Sequence, residues 1–310
     1  MVNVKVIESY KDYGKVVEIS NGIIEAYVTI DIGPRIIRFG YVDGQNIMCA
    51  NRAGLGRLED DAYHAFFGEN RRWESFGGYR VWVTPEGYPE TYTPDDRPVA
   101  YEVKGDSVVF TALPDEEVGI LKTVTIKMAE NTADMTVNAT VKNISGKDKE
   151  FAVWVIAVCD AGGNLIVPMN TNNTGLLHNR AISIWPYTNL GDSRLYFGKK
   201  YVTIKQDVEA TCPCKLGFDL NEGTVHYVLG DDIFTKRYDA KHGELPYPDG
   251  DCSFETYTNK VMIEVESLSD IKNVPNGGTN EITEYWSLSK KPCDVDFRND
   301  DSIDELISKM

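Results

Sequence analysis

The feature that most constrains this chain is a near-continuous alternation of apolar and polar residues, interrupted at short intervals by turn formers. Side chains alternate faces along a strand, so a period of two marks strands that bury one face. Segments 15–20, 22–30, 35–41, 99–103 and 107–113 read this way. Asn21-Gly22, Asp43-Gly44 and Lys104-Gly105-Asp106 separate them with residues that tolerate tight-turn backbone. In segment 119–128, Ile120, Val124, Ile126 and Met128 share a face, and segment 135–144 answers it across a loop. Further strands are expected at 150–158, 181–185, 194–197, 215–219, 223–229, 253–258, 261–268 and 280–288. Helix signals are confined to a turn or two within 58–73 and a terminal helix over 301–310. The terminal helix has Ile303, Leu306 and Ile307 at helical spacing and Asp301 or Ser302 as N-cap.

So many short strands predict an all-β protein of two large packed antiparallel sheets with few short helices. No repeat, linker or composition shift divides the chain, so one domain is expected over 1–298 with a helical tail at 299–310. A hydrophobic content of 42% in 310 residues supports a large core. The net charge of -16 argues against nucleic acid and against an anionic membrane, since nothing could neutralise a run of phosphates. The first residues lack the apolar core of a signal peptide, and no apolar run approaches the ~20 residues of a membrane span. Six dispersed cysteines show no disulfide-framework pattern. Reduced thiols in a cytoplasm are the expectation. No G-x-G-x-x-G, P-loop or H-E-x-x-H occurs, so neither a cofactor nor a metal is expected.

The stretch from Gly77 to Tyr92 gathers Arg80, Trp82, Glu86, Tyr88 and Glu90 on a strand and the Pro/Gly-broken loop after it. Aromatic faces beside Arg and Glu suit a sugar, whose C–H groups stack and whose hydroxyls take hydrogen bonds. Strand parity puts Glu264 and Glu266 on one face. Two carboxylates in a cleft would raise one pKa toward general-base work, although surface glutamates are the commoner case. Asp249 lies in the turn Tyr247-Pro-Asp-Gly and could hold a hydroxyl. His178 and Arg180 lead from the polar loop 170–174 into a strand with Trp185. Lys215 and Lys236, with Arg80 and Arg180, could form a cationic set for a carboxylate or phosphate if they converge. His64, His226 and His242 have no nucleophile in a recognisable motif nearby.

Leu121-Lys-Thr-Val-Thr-Ile, Met135-Thr-Val-Asn-Ala-Thr-Val-Lys-Asn-Ile-Ser and Phe151-Ala-Val-Trp-Val-Ile-Ala resemble the central strands of galactose-mutarotase-like proteins. The C-terminal run is similar to the aldose 1-epimerase pattern of a glutamate strand, a Pro-Gly turn and a final strand. Here it reads Ile263-Glu-Val-Glu-Ser-Leu, then Val274-Pro-Asn-Gly-Gly, then Asn280-Glu-Ile-Thr-Glu-Tyr-Trp-Ser-Leu. Gly77-Gly-Tyr-Arg-Val-Trp and Tyr247-Pro-Asp-Gly resemble an uncharacterised bacterial branch of that superfamily. The resemblance implies a β-supersandwich whose curved trough binds carbohydrate. It also implies a glutamate that takes the anomeric proton, mapping to Glu264 with Glu266 next, and a histidine that protonates the ring oxygen. The histidines do not carry over: Phe76 stands beside the Gly-Gly pair, and Trp154-Val-Ile-Ala-Val-Cys contains none. Three readings follow. The first is an epimerase-like isomerase acting on a sugar or acidic sugar derivative. The second is a non-catalytic carbohydrate-binding protein, and the third a polysaccharide-lyase-related domain.

Overall fold

Two ten-stranded sheets stack face to face in the computed structural model, which describes residues 1–52, 55–241 and 243–310. From edge to edge the first sheet runs Asn3–Ile7, Val16–Ser20, Ile24–Thr29, Ile36–Tyr41, Gly78–Val83, Val153–Cys159, Ile263–Leu268, Phe254–Thr258, Cys214–Phe218 and Ile182–Ile184. The second runs Leu195–Phe197, Tyr201–Lys205, Asn164–Pro168, Gly223–Leu229, Asp232–Tyr238, Thr279–Lys290, Asp134–Asn143, Ile120–Met128, Ser107–Thr111 and Ala100–Lys104. Neighbouring strands pair antiparallel, as in the ladder from Ile120 opposite Asn143 to Met128 opposite Met135. The sheets enclose one hydrophobic layer: Val81, Val155 and Val265 of the first join Val137, Ile282 and Trp286 of the second in one core cluster. The fold is the all-β double sheet expected from the alternation.

Several strands escaped that reading. Asp232–Tyr238 buries Asp232, Thr235 and Lys236 among its apolar residues, which blurs its polarity pattern. Asn3–Ile7, Asn164–Pro168, Tyr201–Lys205 and Lys272–Val274 are also additional strands. The single strand expected at 150–158 is two. Lys149–Phe151 pairs with Lys272–Val274 in a small separate ladder, and Val153–Cys159 enters the first sheet. The terminal helix, Asp300–Ser308, is capped by Asn299, whose side chain accepts from the Asp301 and Ser302 amides. It lays Ile303 and Leu306 on the outer face of the second sheet against Tyr201 and Val228. A second helix, Asp61–Phe67, is capped by Asp60. Among the described residues, no helix is long and apolar enough to cross a membrane.

The centre of the first sheet departs from simple alternation in a way that matters. Every residue of Gly78–Val83, Val153–Cys159 and Ile263–Leu268 is buried. One face of these strands packs on the second sheet. The other, which would ordinarily be wet, is covered by the loop carrying Tyr92 and the strand pair carrying Trp73. Polar residues on that covered face are therefore forced to find partners.

Candidate functional site

Cross-strand register assembles the site. Trp82 faces Trp154 and Arg80 faces Ile156. Ile156 in turn faces Glu266. Glu266 faces Glu255, and Glu264 faces Tyr257. Tyr257 faces Lys215. Residues directly opposite across a ladder share a face, so five neighbouring strands deliver these side chains to one surface. The residues between them, such as Tyr79, Val81, Val155 and Val265, point into the core. Glu264 and Glu266 do share a face, as parity requires, and that face is the covered one.

The Gly77-Gly78 pair sets where the Arg80 strand begins. Both residues have positive φ, 73° and 65°. A Cβ on Gly77 would lie 2.1 Å from the Cys49 carbonyl oxygen, and one on Gly78 would lie 2.5 Å from that of Ile36. Only glycine fits such close backbone approach. Phe76 just before them does not face the site: its buried ring lies against Arg52 and Arg35, 4.6 and 5.4 Å from the guanidinium carbons.

Beyond Val83 the chain turns over the sheet. Tyr92 donates its hydroxyl to Glu86 at 2.5 Å. Its ring packs edge-on against Trp73 and Trp82, with centroids 5.1 and 4.9 Å away, and Trp82 meets Trp154 at 5.3 Å. The far end of this loop is pinned by buried charge. Asp95 takes Arg35 at 2.7 Å and Lys122 beside it, Lys122 reaches Asp115 at 3.1 Å, and Arg97 reaches Asp115 at 3.0 Å. Burial alone would raise Asp95, but Lys122 and Arg35 outweigh it and hold the carboxyl below its ordinary range. The result is a trough of about 500 Å³ whose lining includes Trp73, Trp82, Trp154, Trp185, Tyr92, Tyr187 and Tyr257.

Two ion-pair groups form its floor. Arg80 donates to Glu264 at 2.9 Å and stacks on Trp82 with its guanidinium carbon 4.3 Å from the ring centroid. Lys215 places its ammonium 2.8 Å from Glu255 and 3.8 Å from Glu266, 4.5 Å from the ring centroids of both Trp154 and Trp185. Glu266 also accepts from the Trp154 indole at 2.8 Å. One cation thus serves two fully buried carboxylates. Burial pushes Glu255 up to about 9 and Glu266 up to about 7; the Glu266 charge adds to the rise at Glu255, and the Glu264 charge to that at Glu266. The two carboxylates pull Lys215 above its ordinary value despite burial. The pair therefore releases its protons above the ordinary carboxylate range and titrates as a unit.

Arg80, Trp82, Glu86, Lys215 and Glu264 line the trough, and Glu266 lies just beneath it. Four expected members lie elsewhere. Lys236 is sealed between the sheets, with Glu284 at 2.7 Å and the Val265 carbonyl at 2.8 Å, because its strand belongs to the second sheet. Arg180 donates to the Asn170 carbonyl at 3.0 Å, which ties down the polar loop. His178 is exposed on that loop. Asp249 is a turn residue with φ 54°, and its carbonyl accepts from Ser183 at 2.7 Å. The convergent cationic set is thus reduced to Arg80 and Lys215, both already paired with carboxylates. His64 and His226 stay outside the trough, and His242 lies outside the described residues. Glu255 was not anticipated. Its parity with Tyr257 was readable, but its meaning depends on the register that sets it opposite Glu266. Trp154, Tyr187 and Tyr257 also line the trough and are not among the expected site residues.

A second cavity, about 570 Å³, lies between the second sheet and the terminal helix, with Asn170, Asn172, Asn221, His226 and Ile307 in its wall. It has neither the aromatic floor nor the carboxylate pairs of the trough. No family model matches the chain, and no curated protein is similar to it in sequence. Solved structures are similar in fold. A galactose mutarotase-like protein from Clostridium acetobutylicum superposes with a TM-score of 0.54 at 10% identity over 94% of this chain and 98% of that one. One from Lactobacillus casei gives 0.52 at 12% identity over 88% and 100%. A TPR-domain containing protein from Parabacteroides distasonis gives 0.55 at 14% identity over 90% of this chain, which spans only 48% of that protein. The fold is galactose mutarotase-like.

Proposed function

We propose that the trough binds a sugar. The observation that carries this reading is the convergence of four tryptophans and three tyrosines with Arg80, Glu86, Lys215 and Glu264 around one cavity of about 500 Å³. Aromatic faces take the C–H surface of a pyranose, and paired charges present fixed donors and acceptors to its hydroxyls. The similarity to mutarotase-like folds agrees with it but speaks to scaffold, not chemistry. Both floor cations already have carboxylate partners, and Arg57 at the rim pairs with Glu59 at 2.9 Å. That balance favours an uncharged sugar over the acidic derivative anticipated from the cations.

A second reading, anomer exchange, is favoured by the place of Glu264. It is the floor carboxylate that reaches the cavity, and Arg80 fixes its orientation. In that reading Glu264 takes the proton of the anomeric hydroxyl. Ligand-observed NMR with aldohexoses tests binding, and magnetisation transfer between anomers in the same tube tests turnover. Saturable binding with unchanged exchange leaves a non-catalytic binder; no binding removes both readings.

A further inference from the structure

Ring opening needs an acid as well as a base, and no histidine lines the trough among the described residues. We propose that Lys215 is the proton donor to the sugar ring oxygen and that Glu255 restores its proton. This rests on the anomer-exchange reading of the trough.

The geometry is set by where the ammonium ends up. Lys215 starts two strands away from Glu264, with Tyr257 between them in register. Its side chain does not stop there. The ammonium reaches Glu266 at 3.8 Å, on Glu264's own strand, and the Trp154 ring beyond it. Glu264 and Glu266 are alternate residues of that strand, about 7 Å apart along it. The ammonium and the Glu264 carboxylate thus flank one stretch of floor, and both residues line the cavity. An anomeric carbon between them would present its hydroxyl to one and its ring oxygen to the other.

The step balances. Glu264 takes the proton from the anomeric hydroxyl, and the electron pair of that O–H bond forms the carbonyl. The bond from C1 to the ring oxygen breaks, and its electron pair takes a proton from Lys215. An alkoxide is more basic than an amine, so this transfer runs downhill as the bond breaks. The neutral amine then takes the proton held by Glu255, 2.8 Å away. After rotation about the adjacent C–C bond, the reverse sequence closes the ring on the other face and returns every proton. Glu255 touches no substrate; it is a positioning and proton-holding residue.

Three groups face the Glu255 carboxyl: Lys215 from the Cys214–Phe218 strand, Glu266 from Ile263–Leu268, and Asp249 from the turn before its own strand. Both buried glutamates hold protons above the ordinary carboxylate range, which is what a reservoir requires. The exchange rate should therefore fall at alkaline pH as the reservoir empties.

The decisive variant is Lys215→Arg, which keeps the charge but cannot give up its proton in a protein. It should still bind hexose saturably and lose anomer exchange, measured at saturating sugar, by about 10²–10⁴-fold, the range typical of one positioned acid. Lys215→Met should lose exchange as well, and Glu255→Gln should lose the alkaline limb of the pH profile. Circular dichroism and sugar affinity check that each variant is folded. Exchange within threefold of wild type in Lys215→Arg would overturn the assignment. A wild type that binds hexose without accelerating exchange overturns the relay and leaves the binding reading standing; one that binds no sugar overturns both.

Discussion

Two lysines among the described residues are buried between two carboxylates, and their surroundings differ. Lys122 sits between Asp95 and Asp115, but Arg35 and Arg97 join it, so three cations face two anions. Asp95 is held low by Lys122 and Arg35 against the cost of its burial. Lys215 is the one ion-pair partner of Glu255 and Glu266 among the described residues, and burial pushes both carboxyls up even with the Arg80 charge near Glu266. Both places hold a buried lysine between two buried carboxylates, aspartates in one and glutamates in the other. The count of counter-charges decides whether a buried cluster is a fixed brace or a proton store. The brace lies behind the Tyr92 loop, and the store lies under the trough.

Breaking the brace should have the largest effect on stability. Asp95→Asn leaves Arg35 and Lys122 buried without their shared partner, which should cost about 3–5 kcal/mol in a urea titration. It should also weaken sugar binding, because the loop that positions Glu86 and Tyr92 is freed. A loss below about 1 kcal/mol would mean that the network is not a brace.

The backbone that sets the Arg80 strand comes next. Gly78→Ala places a Cβ against the Ile36 carbonyl oxygen at positive φ. It should cost at least about 1–3 kcal/mol, read from the same titration. A neutral result would separate the site's geometry from this glycine.

The proton store predicts a pH signature. Both Glu255 and Glu266 have native pKa values above those of the unfolded chain. Near pH 4 the two states are similarly protonated. As pH rises the unfolded chain releases these protons first, so stability should fall between about pH 5 and 9, with a slope on the order of 1 kcal/mol per pH unit. Glu255→Gln should flatten that slope when urea midpoints are compared at pH 5, 7 and 9. An unchanged slope would place the titration elsewhere. The smallest effect is expected at His178, where alanine should change stability by less than about 0.5 kcal/mol and leave sugar binding untouched.

The double sheet was legible because most strands alternate clearly, as in Ile120–Met128 and its partner. Yet that strand hid Lys122 among its core-facing residues, since a single cation in an apolar stripe reads as noise until its partners are known. Parity correctly paired Glu264 with Glu266, but it could not say which face was covered; that depends on loops folding back over the sheet. Lys236 and Lys215 looked equivalent as isolated strand lysines. Strand order, a long-range property, sends one between the sheets and the other into the trough. Glu255 became visible only through register.

The trough's proposed role is to hold a sugar. Saturation-transfer NMR of aldohexoses should show saturable binding to the wild-type protein. Binding should weaken at least about tenfold in Glu264→Gln, which removes the charged half of a buried pair at the cavity wall. Absence of hexose binding in the wild type, or undiminished binding in Glu264→Gln, would contradict it.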